Sequence, residues 1–294
     1  MKKIIALLLV SLMVCVPNIS YCAPTDIIFD IINREHSTNS SRAMELLYSF
    51  KKSAKANKDN KDNKEPKDVK IIKNEKELNE ANLQKGKIQG TLIGIDVSKW
   101  DGNINWKQVK GAGIQFAVIR AGYGYTKDKK FKRNIEGAIK NDIYIGIYWF
   151  SYAYTVDMAV KEAKVCADII KPYKNEIDLP VYFDYEYDSV DYAHKRGKSI
   201  TKVLTTNMAD AFCSTITSYG YEAGIYTNLD FSNNYFRKSM LEKWQIWIAQ
   251  WTRTNTYKKT DYSMWQYGAK GYVKGIKGYV DMDYFYGDKY EKKN

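Results

Sequence analysis

From Thr91 onward the chain alternates short apolar runs with longer stretches of helical periodicity. The short runs, rich in β-branched and aromatic residues, read as strands over 92–97, 115–120, 143–149, 179–185, 223–226, 245–249, 263–266 and 279–282. Helical runs fall between the early ones, over 131–140, 156–170 and 202–218. The last of these puts Val203, Leu204, Met208, Ala211, Phe212 and Ile216 on one face of a helix. Strand and helix in alternation is the pattern of a parallel α/β sheet or barrel. Helices thin out after Gly224, where the connections shorten. About eight strands in roughly 200 residues suit an irregular (β/α) barrel, TIM-barrel-like but compact.

The first 90 residues follow a different pattern. Met1-Lys2-Lys3 is a positive n-region, 4–16 is almost wholly apolar, and Ser20 and Cys22 precede a cut before Ala23. This is the layout of a secretory signal peptide over 1–22. An uncleaved anchor is the alternative, disfavoured because the apolar run is short for a span of about 20 residues. Residues 23–90 read as an extension and linker. Modestly apolar stretches at 27–32 and 44–50 suggest no role, and 51–87 are dominated by Lys, Asn, Asp and Glu. So little apolar surface cannot offset ordering entropy, so this extension is expected to be disordered, with a tether to anionic wall polymer as the functional alternative. The ordered domain is expected over 91–290.

Composition narrows the partners. The formal charge of +12 suits an anionic partner, and export excludes nucleic acid in favour of a cell wall. The chain is expected to be secreted and wall-associated, without stable membrane insertion, and to act as a monomer. Tyr 25 and Trp 7 are enough for a groove lined with flat faces, as a sugar polymer requires, or for a tyrosine-rich core. Cys15 and Cys22 fall in the signal; Cys166 and Cys213 remain, as one disulfide or two half-buried thiols.

In (β/α) barrels reactive groups stand at the C-terminal ends of strands. Those ends carry Asp96, Arg120, Tyr148, the pair Asp184 and Glu186, Tyr226, Gln250 with Trp251, Trp265 with Gln266, and Asp281. Within 180–188 the alternation of a strand aims Asp184 and Glu186 into one space. Two such carboxyls push their pKa values apart, the condition for one acid and one charged partner. Glycoside hydrolysis needs that pair. Glu186, with the longer reach, is the candidate proton donor, and Asp96 and Asp281, from the first and last strands, become neighbours when a barrel closes. A hard cation held by Asp96, Asp184 and Asp281 is the rival reading. Zinc is disfavoured: the two histidines are His36 in the extension and His194, read as a surface loop residue. Asp188 and Asp191 read as solvated loop. Trp149, Trp251 and Trp265 are either core or stacking platforms.

The segment from about Gly94 to Tyr286 resembles the glycoside hydrolase family 25 lysozymes, the N-acetylmuramidases of autolysins and endolysins. The resemblance rests, in order, on Gly94-Ile95-Asp96-Val97-Ser98 with Trp100, Ile119-Arg120-Ala121-Gly122, Gly146-Ile147-Tyr148-Trp149-Phe150, Asp184-Tyr185-Glu186, Ala249-Gln250-Trp251, Trp265-Gln266-Tyr267 and Val280-Asp281-Met282-Asp283. It implies cleavage of the β-1,4 bond between N-acetylmuramic acid and N-acetylglucosamine in peptidoglycan glycan strands, with no cofactor and no metal. It implies Glu186 as general acid, Asp184 as its partner carboxylate, Asp96 and Asp281 as further rim acids, and Tyr148 in the subsite. Arg120, Tyr226, Gln250, Trp251, Trp265 and Gln266 complete the expected substrate-binding set. Two departures stand out: Trp149 where the family often has histidine, and Asp283 where it often has asparagine. A non-catalytic wall-binding protein on the same barrel, or a glycosidase acting on another N-acetylhexosamine polymer such as chitin, are the competing readings.

Overall fold

The computed structural model describes Ile88 and residues 90–290. The expected signal peptide and nearly all of the extension lie outside the described residues. Nine strands form one sheet: β1 (Thr91–Val97), β2 (Phe116–Tyr123), β3 (Thr126–Lys127), β4 (Tyr144–Phe150), β5 (Val181–Asp184), β6 (Ala223–Asn228), β7 (Gln245–Ala249), β8 (Met264–Gly271) and β9 (Val280–Tyr286). Its order is β1-β9-β8-β7-β6-β5-β4-β2-β3, and β1 also pairs with β2. That pairing closes a barrel of eight strands and leaves β3 as a two-residue flap on β2.

The helices are α1 (Trp106–Gly111), α2 (Phe131–Ile139), α3 (Val156–Ile170), α4 (Tyr187–His194), α5 (Lys202–Ser218), α6 (Leu229–Asn234) and α7 (Lys238–Leu241). Helices α3 and α5 match the expected spans and pack side by side against the barrel wall. Each starts at a threonine, Thr155 and Thr201, whose hydroxyl accepts an N–H from the first turn. Their apolar faces bury Ala159, Ala163, Cys166, Phe212, Cys213 and Ile216 against the outward-facing residues of the strands. Cys166 and Cys213 are buried free thiols.

One strand runs against the rest. Pairings among β1, β2 and β4 to β8 are parallel, whereas β9 is antiparallel to both β8 and β1. A short hairpin, not a helical crossover, joins β8 to β9. Asp281 therefore reaches the rim from the start of its strand, not from its C-terminal end as the parallel pattern suggested.

The barrel interior is a separate apolar cluster: Leu92, Phe116, Val118, Tyr148, Tyr182, Tyr226, Trp247, Ala249, Met264 and Phe285. Trp247 is its hub, with the rings of Tyr148, Tyr182 and Tyr226 meeting it edge-on at 6.1, 5.3 and 4.6 Å. Such pairs contribute about 0.5–1.5 kcal/mol each beyond area burial. Gly94 makes room for this packing, since a Cβ there would lie 2.4 Å from the Phe116 ring.

Candidate active site

Strand parity decides what faces the barrel mouth. Asp96, Arg120, Tyr148 and Asp184 sit on the inward parity of β1, β2, β4 and β5, one step above the apolar interior. The pairings place Arg120 beside Tyr148 and Asp96 directly across from Asp281. On β9 the same parity turns Asp283 inward, below Asp281 and opposite both Gly94 and Gln266.

The acid pair is divided between two elements. β5 ends at Asp184, and Glu186 is the N-cap of α4, with φ −132° and ψ −170°. Because its backbone remains extended, the strand alternation carries through the boundary. Its N–H donates to Ser189 Oγ at 3.1 Å. Asp188 and Asp191, read as loop residues, lie instead on α4, and His194 is its last residue. Asp184 is buried and Glu186 half-buried. Burial first, and then the neighbouring Glu186, hold the Asp184 carboxyl well above the usual range, against the pull of Arg120. Asp184 thus keeps a proton where an exposed aspartate has lost it.

Arg120 is fixed from behind. Its Nε donates to Asp128 Oδ2 at 2.8 Å, and the same carboxylate accepts the backbone N–H groups of Lys99 and Lys130. Burial drives the Tyr148 hydroxyl well above 10, so it remains protonated at the mouth of the barrel.

Gln266 is locked in one orientation. Its Oε1 accepts from Tyr226 Oη and from Trp251 Nε1, each at 3.0 Å, so its Nε2 must face the other way. There it donates to Asp96 Oδ2 at 2.7 Å. Asp96 is raised well above 3.8 by burial, then by Asp281 and Asp283, with the Gln266 bond opposing.

Of the expected set, Asp96, Arg120, Tyr148, Asp184, Tyr226, Trp251, Gln266 and Asp281 thus form one neighbourhood, linked by these pairings and bonds. Three residues are placed otherwise. Gln250 spends its side chain on Thr256, accepting from its N–H at 2.8 Å and donating to its hydroxyl at 2.7 Å. Trp265 belongs to the outer layer, with its indole N–H on the Gln250 carbonyl. Trp149 also points outward, fully buried, with its N–H on Glu162 of α3. Its departure from histidine therefore does not alter the groove.

Trp247, Asp283, Asp128 and Glu162 were not singled out as site residues, and the first two show why parity matters. Trp247 stands two residues before Ala249 on β7, and Asp283 two after Asp281 on β9, both on the inward face. A ladder of rings beside the acid pair was also missed: Tyr152 against Tyr192 at 4.7 Å, Tyr192 against Tyr154 at 6.5 Å, and Arg196 over Tyr192 at 3.4 Å. Its members lie in a loop and on an unexpected helix.

The family model for glycosyl hydrolases family 25 matches residues 95–276. Lysozyme M1 of Streptomyces globisporus is 30% identical over 66% of this chain and 67% of its own length. Among solved structures, the modular autolysin LytC of Streptococcus pneumoniae, in complex with a synthetic peptidoglycan ligand, aligns with a TM-score of 0.60 at 26% identity, over 67% of this chain. The chain spans 47% of LytC, about half its length. A bacterial lysozyme from Streptomyces coelicolor aligns at 26% identity with a TM-score of 0.55, over 66% of this chain and 91% of that one. The match covers most of the barrel and every rim carboxyl except Asp281, and it makes the chain a member of glycosyl hydrolases family 25, among the lysozyme-type glycoside hydrolases.

Proposed function

We propose that the protein is a peptidoglycan muramidase, hydrolysing the β-1,4 bond between N-acetylmuramic acid and N-acetylglucosamine, with Glu186 as proton donor. The observation that carries this is a buried carboxyl, Asp184, one alternation from a half-buried one, Glu186, at a mouth where Asp96 and Asp281 face each other. Lysozyme M1 and the peptidoglycan-bound LytC support the choice of polymer.

Asp184 and Glu186 titrate as a unit. One proton stays on the pair at neutral pH, because two adjacent charges in a desolvated site repel. Glu186 is the less buried partner, so it delivers that proton to the departing glycosidic oxygen. The proton passes from Asp184 to Glu186 as Glu186 gives it to the leaving oxygen, so Asp184, neutral before the reaction, is left charged as the positive anomeric centre develops. Asp96 and Asp281 orient the acetamido group or the attacking water, and the neutral Tyr148 hydroxyl donates to a sugar oxygen. The rings of Tyr152 and Tyr192 offer a stacking face beyond the acid pair. A signal peptide at 1–22 would deliver the protein to the wall, where its excess of basic residues favours an anionic polymer.

Digestion of purified peptidoglycan, followed by identification of the new reducing ends, tests the assignment. Muramic acid ends are expected. Glucosamine ends would point to another bond, hydrolysis of chitin alone to another polymer, and binding without release to a non-catalytic wall protein.

A further inference from the structure

Asp283 is fully buried in the floor of the groove, where the family resemblance suggests an asparagine. Its Oδ1 accepts the Trp247 indole N–H at 2.8 Å. Its Oδ2 is buried too, and among the described residues no N–H or hydroxyl donates to it. What stands within hydrogen-bonding reach is the carboxyl of Asp96. Two carboxylates cannot bond to each other; a bond between them exists only with a proton in between. An asparagine would have supplied that hydrogen permanently.

The remaining contacts fix where the proton sits. Asp96 Oδ2 is already taken by Gln266, whose orientation is set by Tyr226 and Trp251. Asp283 Oδ1 is taken by Trp247. This leaves one oxygen on each acid for a shared hydrogen. The acids Asp281 on β9 and, toward Asp96, Asp101 after β1 disfavour a second charge on the pair, while the phenols of Tyr148, Tyr182 and Tyr267 around it are held protonated and supply no countercharge. No lysine or arginine counters them among the groups acting on either acid.

We propose that Asp283 is a positioning residue for Asp96: the two carboxyls share one proton, and that proton, together with the Gln266 bond, fixes Asp96 at the groove floor. The bond that asparagine would make unconditional is thereby conditional on pH. This deepens the muramidase reading and rests on it, because Asp96 matters to turnover only if the groove is the active site. As pH rises through the pair's upper titration, the proton leaves, both acids are charged and repel, and Asp96 is left on the Gln266 bond alone.

The test compares wild type with Asp283→Asn, which keeps an oxygen for Trp247 and gives Asp96 an N–H. Aspartate side-chain carbons are followed by NMR through a pH titration, alongside the pH profile of kcat/KM on purified peptidoglycan. In wild type, a two-proton titration with one step far above the aspartate range is expected at these residues. The substitution should remove that step and move the alkaline limb of the rate profile up by about one pH unit or more, a tenfold change in proton concentration. Superimposable titrations, or an unmoved alkaline limb, overturn the proposal. Should Asp283→Asn not fold, Trp247→Phe removes the bond that holds charge on Asp283. An upward move of the upper titration then supports the shared proton, and no move overturns it. A wild type that releases no muramic acid ends defeats the muramidase reading, while the NMR titration still decides whether the proton is shared.

Discussion

Arg120 owes its place to Asp128, and the dependence can be measured. The guanidinium is buried, and Asp128 is buried behind it at 2.8 Å. Removing one partner of a buried ion pair strands the other, at a cost of about 3–5 kcal/mol. Asp128→Ala should lower the urea midpoint accordingly, while Lys132→Ala, in the exposed pair with Glu136, should hardly move it. Equal effects would show that the buried pair contributes no more to stability than an exposed one. Glu186 behaves in the opposite way. Its side chain is half-buried and its backbone N–H is held by Ser189, so Glu186→Gln should leave the unfolding transition nearly unchanged. Activity on peptidoglycan should fall by about 10²–10⁴-fold. Near-full activity in that variant would remove Glu186 from the donor role. Parity explains which side chains the sequence revealed. Asp96, Asp184 and Gln266 were found because they alternate inward at strand ends, and by the same rule Trp149 and Trp265, each one residue from an inward neighbour, had to face out.

At the scale of elements, the link between β4 and α3 makes the stability of the fold respond to pH. Glu162 of α3 is fully buried, accepting from Trp149 Nε1 at 3.2 Å and Tyr152 N at 3.1 Å. Burial outweighs these bonds and raises its pKa from 4.5 to about 8. The folded chain thus holds a proton that the unfolded chain releases. The stabilisation is complete below about 4.5 and is lost as pH rises through about 8. Urea midpoints should decline across that interval, and Glu162→Gln should flatten the decline. An identical slope in both proteins would show Glu162 charged in the fold. Elements with a strong period, such as α3, α5 and β7, were legible in the sequence to the residue. α4 was not, because Tyr185 and Tyr187 extend the look of a strand past Asp184, and only the Glu186–Ser189 cap marks the change. α1, α6 and α7 are too short to show a period, and β3 has two residues.

At the scale of the molecule, the net charge of +12 and the closed barrel act on different steps. Long-range attraction to an anionic wall is screened as the Debye length falls from about 30 Å at 0.01 M salt to about 8 Å at 0.15 M. Turnover of whole walls should slow over that range, while hydrolysis of a short glycan without charged polymer should not. Parallel loss on both substrates would place the salt effect in the active site instead. The described barrel carries its own core and every rim carboxyl. A chain beginning at residue 88 should therefore unfold in one cooperative transition and retain hydrolysis of soluble glycan, as calorimetry and reducing-end release would show. Strand direction was the one architectural feature the sequence concealed. A run of apolar residues carries no arrow, and only the brevity of the β8–β9 connection bears on it.

That reversed last strand also sets a timetable. Asp96 lies near the beginning of the domain, while Gln266, Asp281 and Asp283 lie near its end. The Gln266–Asp96 bond spans 170 positions. Contacts so distant in sequence form late, since the intervening loop must close before they contribute. A ribosome that has not finished β9 holds a chain with no partner for the first strand's acid and no lid on the barrel. The hydrolytic centre therefore does not exist on a partly synthesised chain, and the cell meets it only as a finished product.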